Sequence, residues 1–288
     1  MTKPHTSNNK REELRRLQAQ QVKEARLRRI ISFALLGVII LAVSVSSIFL
    51  VKNAQEGKTS LPAATQLTPK YLTTDGSFRI GPLGVLDVKA DATAKVGATR
   101  VEIFFDPMCP GCGALERTLG EGLLSLVNDG VIDLYMVPTS FLDRASTDQY
   151  STRAVNALIT VANESPEHMM GFIQAIYTTG IQPEEGNAYK SVTDDKLVSI
   201  AKAVGVPEEK ALMIKNRSYV DWIATHTTKS IARKDLFPKG DFSTPAVFVG
   251  GSVNAAGEVT GAERVQFNAQ TSITDSFSQA LQKARAAK

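Results

Sequence analysis

The hydrophobic positions of this chain fall into two patterns. The first is one unbroken block, IISFALLGVIILAVSVSSIFLV, running from Ile30 to Val51 without a charged residue. As a helix at about 1.5 Å per residue it reaches roughly 33 Å, enough to cross a bilayer core. A buried core helix rarely stays uncharged over such a length. The second pattern is periodic and occupies the rest of the chain. Polar residues 53–75 (NAQEGKTSLPAATQLTPKYLTTD) separate the two and read as part of a linker spanning 52–83.

Beyond the linker, GVLDVKA (84–90) and TRVEIFF (99–105) are rich in β-branched and aromatic residues and predict strands. The spacing of Leu115, Leu119, Leu123, Leu126 and Val127 predicts a helix through ALERTLGEGLLSLVND. VIDLYMVPT (131–139) predicts a third strand. Residues 145–235 then follow a helical period. Within them Ser165 stands as an N-cap before Pro166, and Gly205 closes TDDKLVSIAKAVG. TPAVFVGGS (244–252) returns to strand, a turn leads into EVTG, and residues 262–287 close with a helix. No internal repeat is present. The order is that of an α/β domain over 84–288 carrying a helical insertion at about 145–235.

Charge gives the apolar block a direction. Nine Lys or Arg and three Glu lie in residues 1–29, and only Lys52 follows the block closely. The positive-inside rule puts a basic tail (1–29) in the cytoplasm, a single-pass anchor at 30–51, and the C-terminal domain outside. A cleaved signal peptide is the competing reading, but no A-x-A-like site follows the block. The chain is +4 overall, and that excess belongs to the tail. It therefore reflects topology and attraction to an anionic bilayer rather than a nucleic-acid partner. The tail reads equally as a solvated arm or as a helix on the inner leaflet.

The chemistry concentrates in FFDPMCPGCGALE, which holds Cys109 and Cys112, the only two cysteines. Three roles compete. Structural zinc needs four ligands, usually as two pairs, and there is one CxxC. A structural disulfide over so short a loop would constrain the unfolded chain little. A working dithiol needs one sulfur with a lowered pKa, which a helix N-terminus supplies through unpaired N–H groups and its dipole. Pro110 suits the first helical turn, and Cys112 lies one turn inward, placed to attack a mixed disulfide on Cys109. His168 and His226 read as surface or satisfied helix residues. Phe104, Phe105, Phe248 and Trp222 read as core, and Met108 as either core or the border of an apolar groove.

A strand, then FFDPMCPGC, then an amphipathic helix, with a helical block before FSTPAVFVGG, resembles the DsbA-like thiol–disulfide oxidoreductases. The resemblance extends to the membrane-anchored forms of actinobacteria. It implies a thioredoxin fold with an inserted helical domain, preceded by a single N-terminal transmembrane helix. It implies catalytic Cys109 and Cys112, an active-site dipeptide Pro110-Gly111, and a cis Thr244-Pro245 lying against the sulfurs and holding substrate. It implies no metal and no cofactor. Its partners would be exported proteins with free thiols and a membrane reoxidase of the DsbB-like or VKOR-like kind.

Two departures stand out. Gly111 occupies the place of the His in DsbA, which predicts a Cys109 acidic for a cysteine but less so than in DsbA. The carboxylate that thioredoxin-fold enzymes often bury six residues before the first cysteine is here Ile103. Glu102 is one residue off and aims at the opposite face, so the buried proton acceptor is expected to be absent, favouring oxidation. A reductase or isomerase, or a redox-inert tethered chaperone or binding module, are the other functions this sequence allows.

Overall fold

A computed structural model describes residues 66–87, 97–254 and 256–287. The basic tail, the apolar block and the first part of the linker lie outside the described residues, as do residues 88–90 of the first expected strand. No helix among the described residues is long and apolar enough to cross a membrane.

One six-stranded sheet is formed by β1 (Phe78–Gly81), β2 (Gly84–Val85), β3 (Thr99–Phe105), β4 (Ile132–Pro138), β5 (Ala246–Val253) and β6 (Val259–Arg264), in the order β2-β1-β4-β3-β5-β6. β3 and β4 are parallel, with Phe104 opposite Val137, and the other pairings are antiparallel. The parallel pair requires a crossover. Helix α1 (Pro110–Asn128) supplies it and so carries the cysteines to the end of β3.

The sheet begins earlier than the sequence pattern predicts. Phe78–Gly81, assigned to the linker, pairs with β4, and Phe78 is fully buried. The stretch before it is anchored as well. Leu67 N–H donates to Ser218 O at 2.7 Å, and Lys70 N–H donates to Asn163 Oδ1 at 3.0 Å. The linker therefore does not extend to residue 83. The expected strand 84–90 is reduced to Gly84–Val85 among the described residues, because Pro82 and Leu83 turn the chain back on β1. Gly84 is required at that turn. Its φ is +106°, and a Cβ would sit 2.3 Å from Pro166 O.

Strand alternation sorts β3 between two cores. Val101, Ile103 and Phe105 share a core with Cys109, Cys112, Leu115, Leu119, Leu123 and Val127 under α1. Helix α7 (Ile273–Ala286) packs beside α1 on β5, starting later than residue 262 because Ser272 caps it by accepting Asp275 N–H at 3.0 Å. On the other face Phe104 meets Phe237, Phe248 and Phe242 edge-to-face, with centroids 5.3, 6.0 and 6.1 Å apart.

The insertion is helical as predicted. Its centre is α2 (Tyr150–Glu164), buried along almost its whole length, surrounded by α3 (Met169–Ile176), α4 (Asp194–Ala203), α5 (Glu208–Leu212) and α6 (Val220–Ile231). Thr193 caps α4 and Gly205 turns the chain after it at φ +104°. Ser165 precedes a short 3-10 turn, Pro166–His168, rather than capping an α-helix directly.

Candidate active site

The active site grows out of the end of β3. After Phe105 the chain turns at Asp106, and Cys109 N–H donates back to Asp106 O at 3.0 Å. Cys109 is the N-cap of α1, and Pro110 fills the first helical position, where its missing N–H costs nothing. Both cysteines are free thiols. Both are buried, Cys109 at 5% exposure and Cys112 at 2%. Cys109 Sγ is thus recessed rather than exposed.

What covers it is the loop before β5. The Thr244–Pro245 bond is cis, as the resemblance implied. Cys109 Sγ lies 3.1 Å from Thr244 O, to which the thiol donates, and it accepts Cys112 N–H at 3.4 Å. Gly111 faces the same proline: a Cβ there would stand 3.0 Å from Pro245 Cδ and 3.7 Å from Cys109 Sγ. A larger residue at this position would push on the cis-proline loop. Beside Gly111 and Pro245 opens a groove of about 480 Å³, floored by Leu115, Val265, Phe267 and Ile273.

The two sulfurs differ in acidity. Cys109 is lowered to about 6, chiefly by its hydrogen bond with the Cys112 side chain, against the opposing effect of burial. The Thr244 side chain and the N–H groups of Cys112 and Gly111 add to the lowering. Cys112 moves well upward, because burial, the bond to Cys109 and the charges of Cys109 and Asp106 all disfavour its thiolate. The acidic Cys109 expected from the sequence is what this geometry produces.

The usual position of the buried carboxylate is empty of one, as expected, but another buried carboxylate lies nearer the cysteines in sequence. Glu102 does aim away, as alternation requires, and pairs with Arg100 (3.0 Å) and Arg233 (2.8 Å) on the far side of the sheet. Asp106, however, is fully buried and electrostatically coupled to Cys112. Its carboxylate accepts Met108 N–H (2.8 Å), Leu142 N–H (2.8 Å) and Ser151 Oγ–H (2.6 Å). Burial nevertheless raises its pKa to about 7. An Asp-Pro dipeptide reads as a turn, and nothing local in the sequence reveals that the insertion closes over it.

Other expectations sort simply. Phe104, Phe105 and Phe248 are buried, and Met108 is core rather than groove border. Trp222 is half-buried and stacks on His226, with centroids 4.4 Å apart. His226 is buried, which lowers its pKa to about 4, and His168 lies 3.4 Å from Ser165 Oγ.

One buried group on α1 has a measurable cost. Glu116, one turn beyond Cys112, is raised to about 7 by burial, and its Oε1 has no hydrogen-bond partner. The folded state prefers the neutral acid, so its penalty is absent below the unfolded pKa near 4.5, grows between there and about 7, and stays at its full value above that. The Glu116→Gln variant is expected to be more stable than the parent by about 2 kcal/mol at pH 8, after allowing for an orphaned amide, with little difference near pH 4. Urea unfolding at both pH values measures this.

With fold and site in place, the likenesses are specific. A family model described as Thioredoxin matches residues 93–265. The serine/threonine-protein kinase PknE of Mycobacterium tuberculosis is 31% identical over 173 residues, which cover 59% of this chain and 30% of the kinase. The chain thus spans under a third of that kinase's length. Among solved structures, MdbA, a thiol-disulfide oxidoreductase from Actinomyces oris, aligns at 22% identity and TM-score 0.53, covering 78% of this chain and 93% of that one. MdbA from Corynebacterium diphtheriae aligns at 19% identity and TM-score 0.53, covering 77% and 100%. These two share the fold. The matched segment runs from before β3 to just beyond β6 and contains both cysteines and the cis-proline, and on it the chain belongs to the thioredoxin family.

Proposed function

We propose that the protein is an extracytoplasmic thiol–disulfide oxidoreductase that introduces disulfide bonds into exported proteins through Cys109 and Cys112. The observation that carries this reading is the opposed acidity of two adjacent sulfurs, one capping a helix beside a cis-proline and the other buried behind it. A low Cys109 pKa stabilises the reduced dithiol and makes the disulfide a better oxidant.

The reaction balances as two thiol–disulfide exchanges. A substrate thiolate attacks Cys109 Sγ of the Cys109–Cys112 disulfide. The S–S bond breaks, a mixed disulfide forms on Cys109, and Cys112 leaves as a thiolate that takes up a proton. A second substrate thiolate attacks the substrate sulfur of the mixed disulfide, and Cys109 leaves. The substrate loses two electrons and the protein gains them. The groove beside Pro245 and Gly111 suits an extended substrate segment. The basic tail and apolar block fit a cytoplasmic N-terminus and a membrane anchor, and a quinone-linked membrane protein of the DsbB-like or VKOR-like kind would reoxidise the dithiol.

Mixing the oxidised protein with an equimolar reduced, unfolded two-cysteine protein tests this. The disulfide should pass to the substrate nearly completely at pH 7. If the equilibrium instead leaves the substrate reduced, the protein is a reductase or isomerase.

A further inference from the structure

The loop that carries Cys109 is held from one side by the helical insertion. Four consecutive carbonyls, those of Asp106, Pro107, Met108 and Cys109, accept hydrogen bonds from insertion side chains. Tyr177 Oη–H donates to Asp106 O at 2.8 Å. Gln182 Nε2 lies 3.3 Å from Pro107 O, 3.4 Å from Met108 O and 2.9 Å from Cys109 O, the last being its principal bond. Gln182 is itself fixed: its Oε1 accepts from Arg117 on α1 at 3.3 Å, and Arg117 also donates to Tyr177 O at 2.6 Å.

The first turn of α1 is shaped to admit this side chain. Gly113 is helical and needs no unusual φ, so its missing side chain must be explained by space. A Cβ there would lie 2.1 Å from Gln182 Oε1 and 2.7 Å from an Arg117 guanidinium nitrogen. Glycine at this position costs helix stability relative to alanine, and what it leaves room for is Gln182.

We propose that Gln182 is a positioning residue through which the helical insertion sets the reactivity of Cys109. It touches no sulfur. By holding the carbonyls of residues 107–109 it keeps the loop in the geometry that directs Cys112 N–H at Cys109 Sγ. The donor also offsets the partial negative charge of those carbonyls beside a developing thiolate. The ionisable groups around the clamp are Cys112 and Arg117 on α1, Asp106 on the loop after β3, and Tyr177 from the insertion. The inference deepens the reading of Cys109 as the attacked sulfur and rests on it.

Two variants of the full chain release the clamp in different ways. Gln182→Met removes the donor at similar volume. Gly113→Ala leaves Gln182 intact but fills its space, while itself favouring the helix. The readout is the pH profile of alkylation at Cys109, located by mass spectrometry, alongside the thermal midpoint. In both variants the thiolate pKa should rise by about one unit, so that alkylation at pH 6 falls about five-fold while the plateau at high pH is unchanged. A merely structural role would lower the midpoint and leave the pKa alone. If both variants titrate with the parent, the proposal is wrong. If the parent itself titrates as an ordinary cysteine, the reading of Cys109 as an activated thiol fails first, whatever the variants do.

Discussion

Serine in place of Cys109 is expected to reduce thiol–disulfide exchange to the uncatalysed level, a loss of roughly three orders of magnitude or more. Serine in place of Cys112 should leave a protein that still engages thiols and stops halfway. The asymmetry follows from the geometry. Cys109 caps the helix with a lowered pKa, next to Gly111 on the groove wall, so it is expected to leave readily as a thiolate and to be the sulfur met by a substrate. Cys112 lies deeper and has a raised pKa, so it is expected to serve only as the internal resolving partner. Cys112→Ser should therefore accumulate mixed disulfides with reactive substrate disulfides, visible as mass adducts on Cys109 that a reductant removes. Adducts on Cys112 in the Cys109→Ser variant at a comparable rate would reverse the assignment. Retained function in Cys109→Ser would point to a redox-inert binding module.

Removal of the Asp133 carboxylate is the stability change expected to cost most. Arg79 Nε lies 2.7 Å from Asp133 Oδ1, both side chains are less than a tenth exposed, and Tyr135 Oη–H donates to Oδ2 at 2.9 Å. Breaking a buried ion pair by removing one partner costs roughly 3–5 kcal/mol, and this change removes the Tyr135 contact as well. Asp133→Ala should move the urea midpoint accordingly with an unchanged m-value. Replacing both partners, as Arg79→Met with Asp133→Leu, should recover most of the loss, because the desolvation of two charges disappears with them. Since Arg79 lies on β1, a loss well below 1 kcal/mol would argue against the pairing of β1 with β4. The same pairing predicts that a fragment starting at residue 84 exposes β4 and the Phe78 site and does not fold stably.

The parts of this molecule legible in its sequence are those encoded over short stretches. β3, α1 and β4 follow from runs of β-branched residues and a leucine period, and the insertion follows from its helical period and a stop at Gly205. The paired cysteines and Pro110 are legible because the chemistry fixes residue type as well as spacing, and Thr244-Pro245 is legible through the resemblance to the DsbA-like family. What escaped depends on contacts far apart in the chain. FRIG is only four residues long and gains its strand by lying against β4, more than 50 residues on. Asp106 is a turn residue until Ser151 and Leu142 close over it. Gln182 is one more polar residue in a loop until the insertion folds back onto the first turn of α1. Gly113 carried a signal in retrospect, a glycine inside a strongly patterned helix where alanine would serve that helix better.

The central claim is that Cys109 and Cys112 form an oxidising pair, and its most direct test is the equilibrium reduction potential in glutathione buffers at pH 7. A value more oxidising than about −180 mV, that of protein disulfide isomerase, is the predicted result, because the acidic Cys109 stabilises the reduced form. A value near −270 mV, about that of thioredoxin, would contradict it and place the protein among the reductases.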